Sequence, residues 1–306
     1  MRLVRTMVLV RDLRISKHLV KTGLTCRKVV GENGQKYLWF PELNFSIHPR
    51  RHLFVLKTIR NIYQLHRLTS CNIEREADSI LINVKDRRFY VNTAEDIYFL
   101  CDTFGRNPYN VVFPRKCVVM DIGMNIADAS IYFADKKNVV LVRAFEPFTP
   151  TFNMAIRNIK LNPGVANKIE PLNYGLGDRH RRLKCEYSLT CKGSAGIYGF
   201  VNSGPKHVED VCTEEIEIRP VAEEVLKVKK DFPDYDIVLK VDCEGAEFEI
   251  IASLARDNLL SVISVILLEW HNKSPLEILQ TLKNSNFTVL LKDDVNQNIG
   301  MLYAFQ

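Results

Sequence analysis

From residue 117 onwards, short apolar runs alternate with amphipathic stretches of helical length. The apolar runs lie at 117–121, 139–145, 237–241 and 262–269, and the amphipathic stretches at about 125–135, 148–161, 245–257 and 274–285. This alternation predicts right-handed β-α-β units, in which helices cover both faces of a mostly parallel sheet. The chain is therefore predicted to be an α/β protein, with its ligands at the carboxyl ends of the strands.

Hairpin signals stand at both ends of this region. Two apolar runs, 287–291 and 300–305, close the chain and predict a hairpin with one strand antiparallel to the sheet. Upstream, SILINV and RRFYVN flank a Lys-Asp turn and predict a second hairpin. Thr93 then precedes AEDIYFLCDTFG, whose early acids and terminal Gly105 are typical of a capped helix.

The first 75 residues are basic, with 15 Lys and Arg against 4 Asp and Glu, whereas residues 76–306 have a net charge of −5. Residues 50–68 have helical apolar spacing and predict an amphipathic helix that packs on the main domain or on a second copy of the chain. We therefore predict a basic N-terminal extension, 1–75, and a main domain, 76–306. The extension is either a solvated face or a surface for anionic partners such as phosphoglycans, lipid headgroups or nucleic acid.

The composition argues against several classes of protein. No segment approaches the roughly 18 uncharged apolar residues of a membrane span, and Met7–Val10 is too short for a signal-peptide core. The eight cysteines are scattered without a Cys-x-x-Cys pair, which disfavours a disulfide framework and a zinc site. The prediction is a soluble, cytoplasmic protein that is not integral to a membrane.

The run CVVMDIGMNIADAS, residues 117–130, ends a predicted strand at Asp121 and passes through Gly123 and Asn125 into a predicted helix. A glycine here lets the backbone approach a ligand, and the helix N-terminus offers unpaired N–H groups. The dinucleotide fingerprint requires three glycines, whereas this run has one, with Ala127 at another small position. An acid at this place repels a pyrophosphate, so a cationic sulfonium cofactor is favoured over a nicotinamide dinucleotide.

Glu146 ends the second predicted strand and precedes Pro147 and a helix. A carboxylate at this position accepts two ribose hydroxyls in both nicotinamide and S-adenosylmethionine sites. The alternative is an ordinary surface acid. Its place directly after an apolar strand favours the binding role.

Polar side chains also end the next two predicted strands. Asp242 and Glu244 follow DIVLKV, and Glu247 lies one turn further on, where an acid can simply serve the helix dipole. Glu269 and His271 end the run ILLEWH, and side chains two apart on a strand face the same way. Glu269 and His271 can therefore converge on one pocket, although a lone histidine is more often structural.

These residues lie within stretches that together resemble the FkbM-type family of S-adenosylmethionine-dependent methyltransferases. The stretches are VVMDIGMNIADASIYFA, AFEPFTPTFNMAIRNIKLN, PLNYGLGD, GSAG, LKVDCEGAEFEII and LLEWH. The resemblance covers about residues 79–306 and implies a class I methyltransferase, Rossmann-like fold with a seven-stranded sheet. It also implies O-methylation of a hydroxylated small molecule or glycan, such as a sugar or natural product. Where the family pattern reads DIGANIG, this chain has Met124 and Ala127.

The resemblance implies a role for each candidate residue. The cofactor would contact Asp121, Gly123 and Asn125 at its methionine end, Glu146 at its ribose, and Gly177 and Asp178 near its adenine. The acceptor side would comprise Asp242, Glu244, Glu269, His271 and Ser194. His271 is the preferred general base and Asp242 the second. The same carboxylates and imidazole could instead hold Mg²⁺, which would lower the pKa of bound hydroxyls.

Two other functions fit parts of the sequence. A protein that binds S-adenosylmethionine without turnover is suggested only by Ala127. A nucleic-acid (RNA) methyltransferase would use the basic extension to hold phosphates, but no RNA-binding module is recognisable there. The aromatic residues of the extension are too few for a base-stacking platform: Tyr37, Trp39, Phe40 and Phe45.

Overall fold

The computed structural model describes residues 19, 23–31, 34–49, 51–76, 79–200 and 210–306. The chain forms two compact units, residues 1–108 and 109–306. Much of the basic extension, 1–18 and 20–22, lies outside the described residues. The predicted border between residues 75 and 76 falls within a strand of the first unit. The division into an extension and a main domain stays a prediction.

The first unit contains two three-stranded antiparallel sheets, β1-β2-β3 and β4-β5-β6, followed along the chain by helices. Its strands are β1 (Arg27–Val30), β2 (Lys36–Phe40), β3 (Phe45–Ile47), β4 (Asn72–Glu76), β5 (Ser79–Val84) and β6 (Arg87–Val91). Its helices are α1 (Leu53–Lys57), α2 (Ile59–Thr69) and α3 (Ala94–Leu100), with a 3₁₀ turn at Pro41–Leu43 and a π-helical turn at Cys101–Arg106.

The predicted hairpin of this unit is confirmed as β5 and β6. Its turn residues Lys85 and Asp86 have φ values of 48° and 64°, as a two-residue hairpin turn with right-handed strand twist requires. The predicted cap of α3 is also present, since Thr93 and Asp96 form a capping box. The π-helical turn continues past Gly105 to Arg106 and is capped by Asn107, which adopts φ 57° and whose N–H donates a hydrogen bond to the carbonyl oxygen of Asp102.

The amphipathic segment 50–68 forms two helices rather than one. The helices break at Thr58, whose φ of −108° leaves the helical region and whose hydroxyl donates to the Phe54 carbonyl oxygen. The buried stripe consists of Val55, Leu56, Ile59, Ile62 and Leu65. It packs within the first unit, with α2 against α3 and the π-helical turn.

The second unit is built around one large sheet. Its strands are β7 (Cys117–Ile122), β8 (Val139–Phe145), β9 (Ile169–Leu172), β10 (Gly175–Gly177), β11 (Arg181–Tyr187), β12 (Ala195–Gly196), β13 (Gly199–Phe200), β14 (Cys212–Pro220), β15 (Asp236–Val241), β16 (Val265–Trp270), β17 (Thr288–Leu291) and β18 (Gly300–Phe305). Its helices are α4 (Asp128–Ala134), α5 (Thr149–Lys160), α6 (Pro163–Ala166), α7 (Val221–Asp231), α8 (Glu247–Arg256) and α9 (Leu276–Asn284), with 3₁₀ turns at Leu189–Ser194 and Leu260–Val262.

The large sheet has seven strands in the order β17-β18-β16-β15-β7-β8-β9. The strands from β16 to β9 pair in parallel, and β18 is antiparallel to both of its neighbours, which confirms the predicted closing hairpin. The strand order reverses between β7 and β15, so the carboxyl ends of these two strands flank the topological switch point. The predicted α/β class with a mostly parallel sheet is confirmed.

Helices cover both faces of this sheet, as consecutive residues of β7 demonstrate. Met120 lies in the apolar core with Val225 of α7 and Ile250 of α8. Asp121 points the opposite way and accepts a hydrogen bond from Ser130 of α4. All six residues of β7 are buried, which explains why the run reads as continuously apolar.

A smaller sheet, β10-β14-β11, was not predicted from the sequence. Its two longer strands bury only alternate side chains, Cys185 and Tyr187 on β11 and Ile216 and Ile218 on β14. The intervening residues are Lys, Arg and Glu, so no apolar run marks these strands. Half-buried strands of this kind carry a weak sequence signal.

Two predictions about composition can be compared with the structure. All eight cysteines are free thiols, as expected without paired spacing. Within the described ranges, no helix is both long and apolar enough to cross a membrane.

Candidate active site

The turn after β7 packs directly on the residue that follows β15. Gly123 has φ 87°, and a Cβ atom at this position would lie 1.8 Å from the main-chain oxygen of Asp242. Only glycine fits there. The N–H groups of Gly123 and Met124 both donate to the carbonyl oxygen of Phe145, at 3.1 and 2.9 Å. The turn is thereby held against the ends of β8 and β15.

Two further residues of the turn adopt left-handed backbone conformations. Asn125 has φ 50°, which asparagine tolerates, and Ala127 has φ 68°. A left-handed alanine is disfavoured by roughly 1–2 kcal/mol, which gives a physical reason for glycine in the family pattern. The Oδ1 atom of Asn125 is buried and accepts no hydrogen bond from any described residue.

Glu146 lies at the carboxyl end of β8 and is 6% exposed. Its Oε2 atom accepts a hydrogen bond from the N–H of Asn125 at 3.0 Å, and Oε1 accepts one from the N–H of Phe148 at 3.1 Å. Burial raises the pKa of Glu146 to about 7, although both N–H groups favour the charged form. A carboxylate oxygen has two lone pairs, so each retains capacity for a donor from a ligand. We call the turn 123–127 together with Glu146 the cradle.

Asp121 is fully buried, and both of its carboxylate oxygens face protein partners. Oδ1 lies 3.1 Å from Nζ of Lys240, and Oδ2 accepts a hydrogen bond from the Ser130 hydroxyl at 2.5 Å. Lys240 Nζ also donates to the carbonyl oxygen of Gly123 at 2.6 Å. Asp121 therefore supports the cradle through Lys240. The sequence analysis did not identify Lys240 as the partner of Asp121.

Four of the predicted acceptor-side residues meet at the ends of β15 and β16. His271 is 2% exposed, and its Nε2 atom lies 3.6 Å from Glu244 Oε2, 3.9 Å from Asp242 Oδ1 and 3.9 Å from Glu269 Oε1. We call these four residues the acidic cluster. The expectation that the two strand ends place their polar groups together is confirmed by these distances.

Glu247 belongs to the same arrangement, which the sequence analysis missed. Its place in the first turn of a helix predicts a residue that serves the helix dipole, but it is fully buried and its Oε1 atom lies 2.5 Å from Nδ1 of His271. The available signal was its position on the apolar face of α8, next to Ile250 and Ile251. An acid on a buried face requires a partner.

The cluster has unusual proton affinities. Burial opposes a charge on His271, but the hydrogen bond to Glu247 and the charges of Glu244 and Asp242 raise its pKa to about 10. Burial also raises the pKa of Glu244 well above its usual range, and the charge of His271 offsets this only in part. The ring of His271 is therefore an imidazolium at neutral pH when only protein groups surround it.

The remaining predicted residues lie at other positions. Gly177 is the last residue of β10 and Asp178 follows it; Arg181 lies 3.5 Å from Asp178 and donates to Glu249. None of the contacts described for these two residues connects them with the cradle. Asn173, which was not predicted, does make such a contact, because its amide donates to the main-chain oxygen of Glu146 at 2.9 Å.

Ser194 ends the 3₁₀ turn that leads into β12. Two residues later, Gly196 packs on the acidic cluster, and a Cβ atom at that position would lie 2.2 Å from the main-chain oxygen of Glu244. Ser194 is therefore close in the chain to a residue that contacts the cluster, and its predicted acceptor role stays a prediction.

The chain is similar to known proteins over parts of its length. The chain is 30% identical over 123 residues to the AMB antimetabolite synthetase AmbE of Pseudomonas aeruginosa, a match that covers 39% of this chain but only 6% of the synthetase. It is 22% identical over 207 residues to the methyltransferase sdnD of Sordaria araneosa, covering 60% of this chain and 80% of that protein. A solved structure, the methyltransferase FkbM of Methylobacillus flagellatus KT, matches with 13% identity and a TM-score of 0.39, over 82% of this chain and 60% of that one.

The family model of the methyltransferase FkbM domain matches residues 121–289. The matched range is more than half of the chain and contains the cradle and the whole acidic cluster. The resemblance seen in the sequence is thereby confirmed, and this chain belongs to the FkbM methyltransferase family.

Proposed function

We propose that the chain uses S-adenosylmethionine, the usual cofactor of this family, to methylate a hydroxyl of a sugar, glycan or natural product. The observation that carries this proposal is the contact between Gly123 and Asp242. It joins the cradle to the acidic cluster, so a cofactor on one and an acceptor on the other would be immediate neighbours. Methyl transfer requires this proximity, because the acceptor oxygen must approach the methyl carbon in line.

The residues of the cradle fit such a cofactor. Glu146 has acceptor capacity for two ribose hydroxyls, and the buried Oδ1 atom of Asn125 suits an N–H or O–H donor. Asn173, next to the main chain of Glu146, would lie on the adenine side. The bound cofactor supplies a methyl group on a positively charged sulfur. Asp121 would act indirectly by fixing Lys240 and the Gly123 carbonyl.

The acidic cluster would bind the acceptor and take its proton. Carboxylates only accept hydrogen bonds, so several of them together suit a ligand with several hydroxyls. Asp242 and Glu269 keep side-chain exposures of 28% and 30% and can be reached by an acceptor. His271 already holds a proton at neutral pH, so we assign the base to Asp242 or Glu269 in its place. A Mg²⁺ ion among these carboxylates is the alternative way to acidify the hydroxyl.

The same charges disfavour a nucleic-acid acceptor. Phosphate groups of a nucleic-acid backbone would be repelled by Asp242, Glu244 and Glu269. A neutral polyol would meet no such repulsion. A basic extension could hold phosphates elsewhere, but the transferred methyl would still have to be delivered beside this negative site.

The test is methyl transfer to a panel of neutral sugars, glycans, hydroxylated natural products and RNA, with products identified by mass spectrometry. If Asp242 is the base, Asp242→Asn should retain S-adenosylmethionine binding in calorimetry but lose about 10²–10⁴-fold in turnover. If Glu269 is the base, Glu269→Gln should show the same result. The matched control is Glu277→Gln, an exposed acid paired with Lys273.

Two outcomes would contradict the proposal. Methylation of RNA alone would make the nucleic-acid alternative correct. Cofactor binding without transfer to any acceptor of the panel would favour a binding protein without turnover.

A further inference from the structure

We propose that Asp242, Glu244 and His271 bind a divalent first-row transition metal ion. One ligand atom from each of the three residues lies within 4.8 Å of the others. The role of such an ion in methyl transfer rests on the proposed function, but the binding site itself rests on the geometry of the cluster.

The orientation of His271 is the first argument. Its Nδ1 atom is bonded to the fully buried Glu247, which fixes the ring and leaves Nε2 directed at the carboxylates. Metal-binding histidines commonly have this arrangement, with one nitrogen on a carboxylate and the other on the ion. Although His271 is 98% buried, its Nε2 atom makes no hydrogen bond to any described residue, because its nearest carboxylate oxygen is 3.6 Å away.

The spacing of the ligand atoms is the second argument. A direct hydrogen bond between Nε2 and a carboxylate would need about 2.7–2.9 Å. Two atoms bound to one ion at about 2.1 Å lie roughly 3 Å apart at a right angle and about 4.2 Å apart across the ion. The distances from Nε2 to Glu244, 3.6 Å, and to Asp242, 3.9 Å, are too long for a hydrogen bond but lie between these two separations expected for ligands of one ion.

The balance of charge is the third argument. The carboxylates of Asp242, Glu244, Glu247 and Glu269 surround one imidazole. Among the described residues, one lysine forms an ion pair with this group: the ammonium of Lys240 lies 3.6 Å from Asp242 but 3.1 Å from Asp121. Four carboxylates therefore stand beside one imidazole and one shared ammonium, and a divalent ion supplies two positive charges where the oxygens converge.

The donor atoms distinguish between metals. Mg²⁺ is bound in proteins mainly by carboxylate oxygens, phosphates and water, whereas imidazole nitrogen is a better ligand for transition metals. A set of two carboxylates and one imidazole therefore favours an ion such as Mn²⁺, Fe²⁺ or Zn²⁺ over Mg²⁺. Glu269 stays outside the ligand group and would remain available for the acceptor proton.

The experiment is a titration of the metal-stripped full chain with Mn²⁺, followed by electron paramagnetic resonance, without cofactor or acceptor. We expect one Mn²⁺ per chain, binding at least tenfold weaker in Glu244→Gln, and unchanged binding in the control Glu277→Gln. Glu244→Gln preserves the shape of the side chain, and its melting temperature verifies the fold.

Absence of stoichiometric Mn²⁺ binding by the wild-type chain would overturn the inference, as would wild-type affinity in Glu244→Gln. Displacement of Mn²⁺ by an equal concentration of Mg²⁺ would overturn the choice of a transition metal. A chain that methylates hydroxyls but binds no ion would contradict this inference alone. A chain that binds Mn²⁺ but methylates nothing would contradict only the proposed function.

Discussion

The cradle and the acidic cluster lie side by side at the carboxyl ends of adjacent strands, but they differ in how their carboxylates are paired. In the cradle region, Asp121 is paired with Lys240, and Glu146 accepts hydrogen bonds from two main-chain N–H groups. In the cluster, Asp242, Glu244 and Glu269 stand 3.6–3.9 Å from a single imidazole nitrogen. The carboxylates of the cradle region are thus paired with groups of the protein. In the acidic cluster, three carboxylates share one imidazole and can still interact with a ligand or an ion.

The largest expected effect comes from removing the cation that is paired with Asp121 beside the cradle. Lys240→Met should lower the free energy of unfolding by about 3–5 kcal/mol, because it leaves the carboxylate of Asp121 buried without its cation. Chemical denaturation measures the change. Arg115→Met is the control, since Arg115 is 74% exposed and its ion pair with Asp236 should contribute less than about 1 kcal/mol. A change of similar size in both variants would contradict the pairing argument.

The next effect concerns the affinity of the cradle for its ligand. Glu146→Ala should weaken S-adenosylmethionine binding by about ten- to a hundredfold, because the ligand loses hydrogen bonds to a charged acceptor worth roughly 1.5–3 kcal/mol. Calorimetry gives the affinity, and circular dichroism verifies the fold. The control is Glu277→Ala, which removes an exposed carboxylate that is not part of the cradle. Unchanged affinity in Glu146→Ala would remove this residue from the site.

The titration of Glu146 provides a smaller and more specific effect. Ribose hydroxyls donate to the charged carboxylate, so binding is favoured once Glu146 is ionised, above its pKa of about 7. Affinity should therefore fall as pH decreases, by up to about tenfold per unit below pH 7, and Glu146→Gln should lose this dependence. Calorimetry between pH 5.5 and 8 provides both curves; parallel curves would contradict the assignment.

The stability of the unliganded chain should depend on pH in the opposite sense. The pKa of Glu146 is higher in the folded state than in the unfolded state, so the folded chain holds the extra proton between about pH 4.3 and 7. The contribution of this residue to stability is complete below the unfolded pKa and is lost as pH rises through about 7. The difference between wild type and Glu146→Gln in denaturation should follow this course.

The smallest effect sharpens the backbone of the cradle. Ala127→Gly should raise the free energy of unfolding by about 1 kcal/mol, because glycine accepts φ 68° without the strain of a Cβ atom. The greater conformational entropy of glycine in the unfolded state offsets part of this gain. The same substitution at Ala155, buried in α5, should be destabilising instead. Destabilisation at both positions would argue against strain at Ala127.

Much of the fold followed from the sequence because its decisive strands are buried on both faces. The runs around β7, β8, β15 and β16 read as apolar segments, and the closing hairpin was bounded by polar residues. The sheet β10-β14-β11 was missed because β10 has only three residues and because β11 and β14 bury only alternate side chains. The break at Thr58 was missed because a single threonine hydroxyl, bonding to the main chain, interrupts a pattern that is otherwise continuous.

For the site, sequence by itself determined which polar groups end the strands, and parallel pairing then requires Asp242, Glu244, Glu269 and His271 to share one edge. It could not determine which charges pair. That Asp121 takes Lys240, and that Glu247 takes His271, depends on which side chains face each other across separate elements. The paired residues are 119 and 24 positions apart, and no local sequence pattern connects them. Burial and distance, which set the pKa of each group, arise only when the chain packs.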